Sequence, residues 1–205
     1  MDRLSEIALK HGTDKVFRER TEGMEGDSAH DYTPYYHELL HNRDIKRVLE
    51  VGIGEKKYNA PSLRMWAEYF PQAEIYGCDI DINVFVTDNP RIHCFYCDQS
   101  DAASLRQVVK QTGGNFDLIL DDGSHRVEHQ MLTFKVLYPL LKSNGVYIIE
   151  DIDKVLQVAS AIHVPYTIIP PHKAGRLLDH RIVVEKENAS LRAGNTTKTL
   201  APTRR

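Results

Sequence analysis

The sequence lacks any apolar run approaching roughly 18 residues, so it offers no candidate for a membrane-spanning helix. Its start, MDRLSEIALKHG, lacks the apolar centre of a secretory signal. Cysteine is scarce: only Cys78, Cys94 and Cys97 occur, an odd count that argues against a secreted disulfide framework. There is no excess of one charge either, since 26 Lys plus Arg stand against 29 Asp plus Glu for a formal charge of -3. A broad face for nucleic acid or membrane is therefore not expected. Together these absences predict a soluble, cytoplasmic protein.

What is present is an ordinary globular balance, with 41% hydrophobic and 27% charged residues, which excludes a disordered or fibrous chain. At 205 residues one large domain is the better expectation. Such a domain buries roughly 70% of its unfolded surface and needs no disulfide staple. Cys94 and Cys97 have C-x-x-C spacing, but they stand inside the strand-like stretch RIHCFYCD. A redox pair usually opens a helix after a strand, and one pair cannot complete a tetrahedral zinc site. Reduced, buried cysteines are the expectation.

From residue 45 onward, strand and helix signals alternate. Lys46–Val51 reads as a buried strand running into Gly52-Ile53-Gly54. Pro61 opens a helix with Leu63, Trp66 and Phe70 at helical spacing. Ala73–Cys78 and Ile92–Cys97 read as strands ending at Asp79 and Asp98. A helix follows over Ala102–Gln111, closed by Gly113-Gly114, and Phe116–Leu120 reads as a fourth strand ending at Asp121-Asp122. Val127, Met131, Phe134, Tyr138 and Leu141 mark the apolar face of one more helix, stopped by Asn144-Gly145. Val146–Ile149 is the fifth strand, ending at Glu150-Asp151. Regular alternation implies a doubly wound, mostly parallel α/β sheet with right-handed crossovers. Tyr166–Ile169 and Arg181–Glu185 are expected to add an antiparallel pair at one edge. Residues 1–44 read as a helical entry segment packing on the same domain, 45–187 as the core, and the polar stretch Asn188–Arg205 as a flexible tail.

In such sheets the ligand lies beyond the carboxyl ends of the strands, where strand order reverses. Here those ends carry Glu50 to Gly54, Asp79, Asp98 to Ser100, Asp121 to His125, and Glu150 with Asp151. Helix capping explains single Asp residues but not so many carboxylates on one edge. A dinucleotide loop needs a third glycine where Lys57 stands, and Glu50 would repel a pyrophosphate. A sulfonium ligand without phosphates suits this loop better. Asp79 can accept from a ribose diol and Asp98 from an adenine amino group, which together describe S-adenosylmethionine. His125 caps the helix that follows it, lies at the surface, or acts as a base.

Glu50-Val-Gly52-Ile-Gly54, Ile75-Tyr-Gly-Cys-Asp79-Ile-Asp81, Asp98-Gln-Ser-Asp101, Asp121-Asp-Gly-Ser-His125 and Ile149-Glu-Asp151 resemble the metal-dependent macrolide-sugar O-methyltransferases. These are a branch of the class I S-adenosylmethionine-dependent methyltransferases, which have a Rossmann-like fold. Ser62-Leu-Arg-Met-Trp66, His11-Gly-Thr-Asp-Lys15 and His30-Asp-Tyr-Thr33 extend the resemblance to roughly residues 5–187. It implies a magnesium site at Asp122, Glu150 and Asp151, with His125 as the base. It also implies cofactor contacts from Glu50, Gly52, Gly54, Asp79, Asp98, Gln99, Ser100 and Asp121. Thr13, Lys15, His30 and Tyr32 would close over the cofactor or substrate. The sequence departs from the family pattern at Glu55–Ala60, in the long charged gap between Lys15 and His30, and in the short segment after Asp151. The additional N-terminal domain of some relatives is not expected.

The implied reaction is methyl transfer to a hydroxyl of a small molecule, such as a sugar diol of a natural product or glycolipid. A catechol-like acceptor is the alternative, because it presents the same two adjacent oxygens to a metal. A catalytically silent cofactor-binding protein is the rival from another class. Oligomeric state is left open, a homo-oligomer included.

Overall fold

A computed structural model describes residues 1–16, 30–171 and 179–187. The expected tail Asn188–Arg205 and most of the charged gap between Lys15 and His30 lie outside the described residues. In chain order the elements are α1 (Arg3–His11), α2 (Thr33–Leu40), β1 (Arg47–Val51), α3 (Pro61–Tyr69), β2 (Glu74–Asp79), β3 (Ile92–Tyr96), α4 (Ala102–Thr112), β4 (Phe116–Asp121), α5 (Val127–Leu137), β5 (Leu141–Ile152), α6 (Val155–Ser160), β6 (Thr167–Ile169) and β7 (His180–Glu185). The sheet has seven strands in the order β3-β2-β1-β4-β5-β7-β6. The first five are parallel, while β7 runs antiparallel to both β5 and β6. The doubly wound sheet with an antiparallel edge pair is thus as the sequence predicts.

Each central strand is apolar on both sides, as a sheet covered on both faces requires. Val48, Leu118 and Ile148 enter a core cluster with Leu4, Tyr36 and Trp66 on the side of α1, α2 and α3. Their neighbours Leu49, Ile119 and Ile149 enter a second cluster with Leu105, Phe134 and Ile182 on the side of α4 and α5. Strand order reverses between β1 and β4, so the crevice lies beyond Val51 and Asp121. Among the described residues, no helix is long and apolar enough to cross a membrane.

Two expectations are corrected. The helix expected to run to Leu141 ends at Leu137 and passes through a single 3₁₀ turn over Tyr138–Leu140. Pro139 explains this, because it has no N–H to continue the helix and its ring clashes with the preceding turn. The buried face of α5 is accordingly Gln130, Thr133, Phe134 and Leu137, with Val127 and Met131 only half-buried. Asn144 and Gly145, expected as a helix stop, lie within β5, which is twelve residues long. The Asn144 N–H instead bonds the Lys186 carbonyl at 2.7 Å.

The cysteines are free, as expected. Cys97 shares a thiol hydrogen bond with Cys78 rather than with Cys94. The Cys94 sulfur accepts from the Val86 N–H at 3.3 Å.

Candidate functional site

The loop after β1 is shaped by its neighbour. Gly52 holds φ +93°, and a Cβ there would stand 2.1 Å from the Asp122 carbonyl oxygen. No side chain fits, so the glycine lets the exit of β4 cross close to the end of β1. The Asp79 carboxylate ties this loop to β2: one oxygen accepts from Ile53 N–H at 2.8 Å and the other from Asp81 N–H at 2.9 Å. Both oxygens keep a lone pair for a diol. Asp98 accepts from the Ser100 hydroxyl at 2.6 Å and its N–H at 2.9 Å, bonds that hold its carboxyl below the usual range. Gln99 turns inward, donating to Asp121 at 2.5 Å and accepting from Ser124 N–H at 2.8 Å. Burial pushes Asp121 up to about 8, and its Oδ2 has no hydrogen-bond partner.

Behind this loop, carboxylates from three adjacent strands surround one ammonium. Lys15, buried to 1% exposure, reaches Asp122 Oδ2 at 2.5 Å, bonds Glu150 Oε2, and lies 3.7 Å from Glu50 Oε1. Tyr36 donates to the other Glu150 oxygen at 2.8 Å, and Trp66 donates its indole N–H to Glu50 Oε2 at 2.7 Å. Burial alone would favour a neutral amine. The charges of Asp122, Glu150 and Glu50 reverse that and hold Lys15 well above the ordinary lysine value.

In front of this cluster, Asp122, His125 and Asp151 bring one ligand atom each within 4.8 Å of one another. His125 Nε2 is 3.2 Å from Asp122 Oδ1 and 3.7 Å from Asp151 Oδ2. Its bond to Asp122 raises the imidazole pKa. Burial would raise Asp122, but Lys15 and His125 outweigh it and hold that carboxyl well below the usual range. Burial and the Asp122 charge raise Asp151. His125 and Asp151 both hold left-handed backbone, at φ 57° and 52°, a costly conformation that such residues keep only where the surroundings impose it. At Asp151 the cause is visible: the pairing of β5 with β7 slips between Ile149 and Ile152. The irregularity accompanies a split in aim, Glu150 towards Lys15 and Asp151 towards His125. Arg126, not His125, occupies the cap of α5, so the capping alternative for His125 is set aside.

Of the residues expected to hold a metal, Asp122 and Asp151 thus converge with His125, while both Glu150 oxygens are taken by Lys15 and Tyr36. Two carboxylates and an imidazole suit a hard or borderline divalent cation. The surrounding charge suits one too, since a single lysine, Lys15, faces Glu50, Asp122 and Glu150 together among the described residues. A second group, His30, Asp151 and Asp179, shares Asp151, with His30 Nδ1 3.1 Å from Asp179 and the Tyr32 hydroxyl bonded to Asp151. Thr13 is buried, and its hydroxyl accepts from the Lys15 N–H at 3.3 Å. Neither Tyr36 nor Trp66 is among the site residues expected from the sequence. The one signal for Tyr36 is its spacing of four from Tyr32, which puts both on one side of α2.

The chain matches no family model. It is 38% identical over 156 residues to the 8-demethyl-8-(2-methoxy-alpha-L-rhamnosyl)-tetracenomycin-C 3'-O-methyltransferase of Streptomyces olivaceus, covering 73% of this chain and 36% of that one. It is 40% identical over 129 residues to the mycinamicin VI 2''-O-methyltransferase of Micromonospora griseorubida, covering 60% of this chain and 31% of the other. The chain therefore spans about a third of the length of these curated relatives. Among solved structures it superposes on the MycE methyltransferase of the mycinamycin biosynthetic pathway in complex with Mg, SAH and mycinamycin VI. That match has a TM-score of 0.69 and 25% identity, and covers 97% of this chain and 57% of that one.

Proposed function

From a chain with the class I methyltransferase fold, homologous to natural-product sugar O-methyltransferases, we propose an S-adenosylmethionine-dependent, divalent-metal-dependent O-methyltransferase acting on a sugar hydroxyl of a small natural product or glycolipid. The observation that carries this reading is the convergence of Asp122, His125 and Asp151 beside the Gly52 loop. Asp79 would hold the ribose diol of the cofactor, and Asp98 its adenine amino group. Gly54 leaves the backbone open to close approach, Gly52 lets the exit of β4 pass beside the loop, and Glu50 places a negative charge near the sulfonium that supplies the methyl group.

Asp122 and Asp151 would hold magnesium or a similar ion, whose chemistry when bound is to lower the pKa of an acceptor hydroxyl. The His125 imidazole would accept the hydroxyl proton at the ring nitrogen not bonded to Asp122, as the oxygen attacks the methyl carbon and its bond to the sulfur breaks. The adjacent Asp122 carboxylate stabilises the imidazolium that results. Buried Tyr32 fixes Asp151 through its hydroxyl, so the proton acceptor and the carboxylates keep their spacing. Lys15, Tyr32 and Tyr36 complete the site from the N-terminal side. The same reading places the protein in the cytoplasm as a monomer or homo-oligomer, with neither nucleic acid nor membrane as a partner.

The test is transfer of labelled methyl from S-adenosylmethionine to a rhamnosyl or macrolide sugar diol. Chelation with EDTA should abolish transfer, magnesium should restore it, and NAD should not compete. Full activity in excess EDTA, with no metal found by elemental analysis, overturns the reading.

A further inference from the structure

The resemblance places Lys15 over the cofactor or substrate, but the geometry points to a different role. We infer that Lys15 is a resident counter-cation, sharing Asp122 with the divalent ion and limiting how tightly that ion is held. This rests on the metal site proposed above and adds a residue that tunes it.

Three observations support it. First, the ammonium sits behind the carboxylates. It takes Asp122 Oδ2, leaving Oδ1 on the side of His125 and Asp151, so the two oxygens of one carboxylate face the lysine and the proposed ion site separately. Second, Glu50 Oε1 has no hydrogen-bond partner, and the ammonium lies within 4 Å of three carboxyl groups, buried Glu50 and Glu150 and half-buried Asp122. Third, Lys15 is pinned rather than lid-like. Its carbonyl accepts N–H bonds from Tyr32 at 3.0 Å and Thr33 at 3.2 Å at the start of α2, and α1 ends just before it at the left-handed Gly12.

The consequence is competition. The ammonium and the ion draw on the same negative charge, and each weakens the site for the other. It also separates Glu150 from Asp151: while Lys15 and Tyr36 hold both Glu150 oxygens, that carboxylate supports the site from behind. The ammonium has a structural effect as well, since without a cation the three carboxyl groups would repel and resist ionising.

The experiment is manganese binding, followed by calorimetry and by the EPR signal of the free ion, without cofactor or acceptor. Lys15→Met should bind Mn²⁺ about tenfold more tightly or better, as expected when a charge within a few ångströms is removed. Its metal-free melting temperature should fall, and Mn²⁺ should raise that temperature more than in the parent. Lys15→Arg, which keeps the charge, should return the parental affinity. Lys15→Gln is the second neutral variant, with the same expectation as Met. Parental or weaker affinity in the neutral variants overturns the role of Lys15. So does their failure to fold even in Mn²⁺, since the ion could not then stand in for the ammonium. Failure of the unsubstituted protein to bind Mn²⁺ tells instead against the metal site itself.

Discussion

Trp66 donates its indole N–H to Oε2 of Glu50 at 2.7 Å, so a fully buried ring of α3 holds the carboxylate that ends β1. Trp66→Phe keeps most of the ring but leaves a buried acceptor short of a donor, a loss of about 1–3 kcal/mol. For a domain of this size each kcal/mol lowers the melting temperature by about 2–4 °C. S-adenosylmethionine binding should weaken as well, because Glu50 loses its orientation. Calorimetry checks both, and an unchanged melting temperature with unchanged affinity would contradict the assignment.

Gly52 and Gly54 have almost the same backbone angle but different surroundings. At Gly54 a Cβ meets nothing within 4 Å, so Gly54→Ala should cost only the left-handed strain, about 1–2 kcal/mol. At Gly52 the same methyl must displace the Asp122 backbone, so Gly52→Ala should be clearly more destabilising and should disturb both cofactor and metal binding. Urea unfolding of the two variants side by side gives the comparison. Equal losses would mean that the two loops are not in contact.

Tyr69 carries a pH dependence remote from the site. Burial, with the Asp2 charge second, pushes its phenol up to about 12, and its hydroxyl lies 2.7 Å from His37 Nδ1. The unfolded chain releases this proton first, near pH 10. Stability contributed by the neutral phenol is therefore complete below pH 10 and is lost as pH rises towards 12. Tyr69→Phe should remove this component, so the stability difference between parent and variant should narrow over that interval. Denaturant titrations at pH 9 and pH 11.5 measure it, and a constant difference would sink the prediction.

His125→Ala should slow methyl transfer by about 10²–10⁴ while leaving cofactor affinity nearly unchanged. The acid limb of the rate profile should disappear with it. Single-turnover assays, with cofactor binding measured separately, distinguish this from a general loss of structure. Unaltered turnover would show that the imidazole is not the base.

The sheet was readable because each central strand is a short apolar run ending in a carboxylate, and because right-handed crossovers leave few orders for five such runs. Even the antiparallel pair β6 and β7 follows from two apolar runs, Tyr166–Ile169 and Arg181–Glu185. The α5 face was misread for a local reason: its apolar spacing continues across Pro139, where the backbone cannot. The interior of the site was hidden for a different one. Lys15 and Glu150 are 135 positions apart and Tyr36 and Glu150 are 114 apart, and nothing near any of them signals the pairing. Likewise, the β5 irregularity that separates Glu150 from Asp151 is a property of strand pairing with β7, which adjacent letters do not encode.

The same long separation orders the assembly of the protein in time. Strand β5 forms its parallel pairing with β4 only after a crossover, and contacts this distant in sequence are slow to form. During synthesis Lys15 emerges well before Glu150, so its ammonium lacks that partner until the fifth strand has docked. An intermediate holding β1 to β4 alone would contain Asp122 without Glu150 or Asp151. It would have the cofactor loop and half of the acidic cluster, and no means of retaining a divalent ion. On the metal site proposed above, cation capture would report completion of the sheet, and late-binding metal would select finished molecules from partly folded ones.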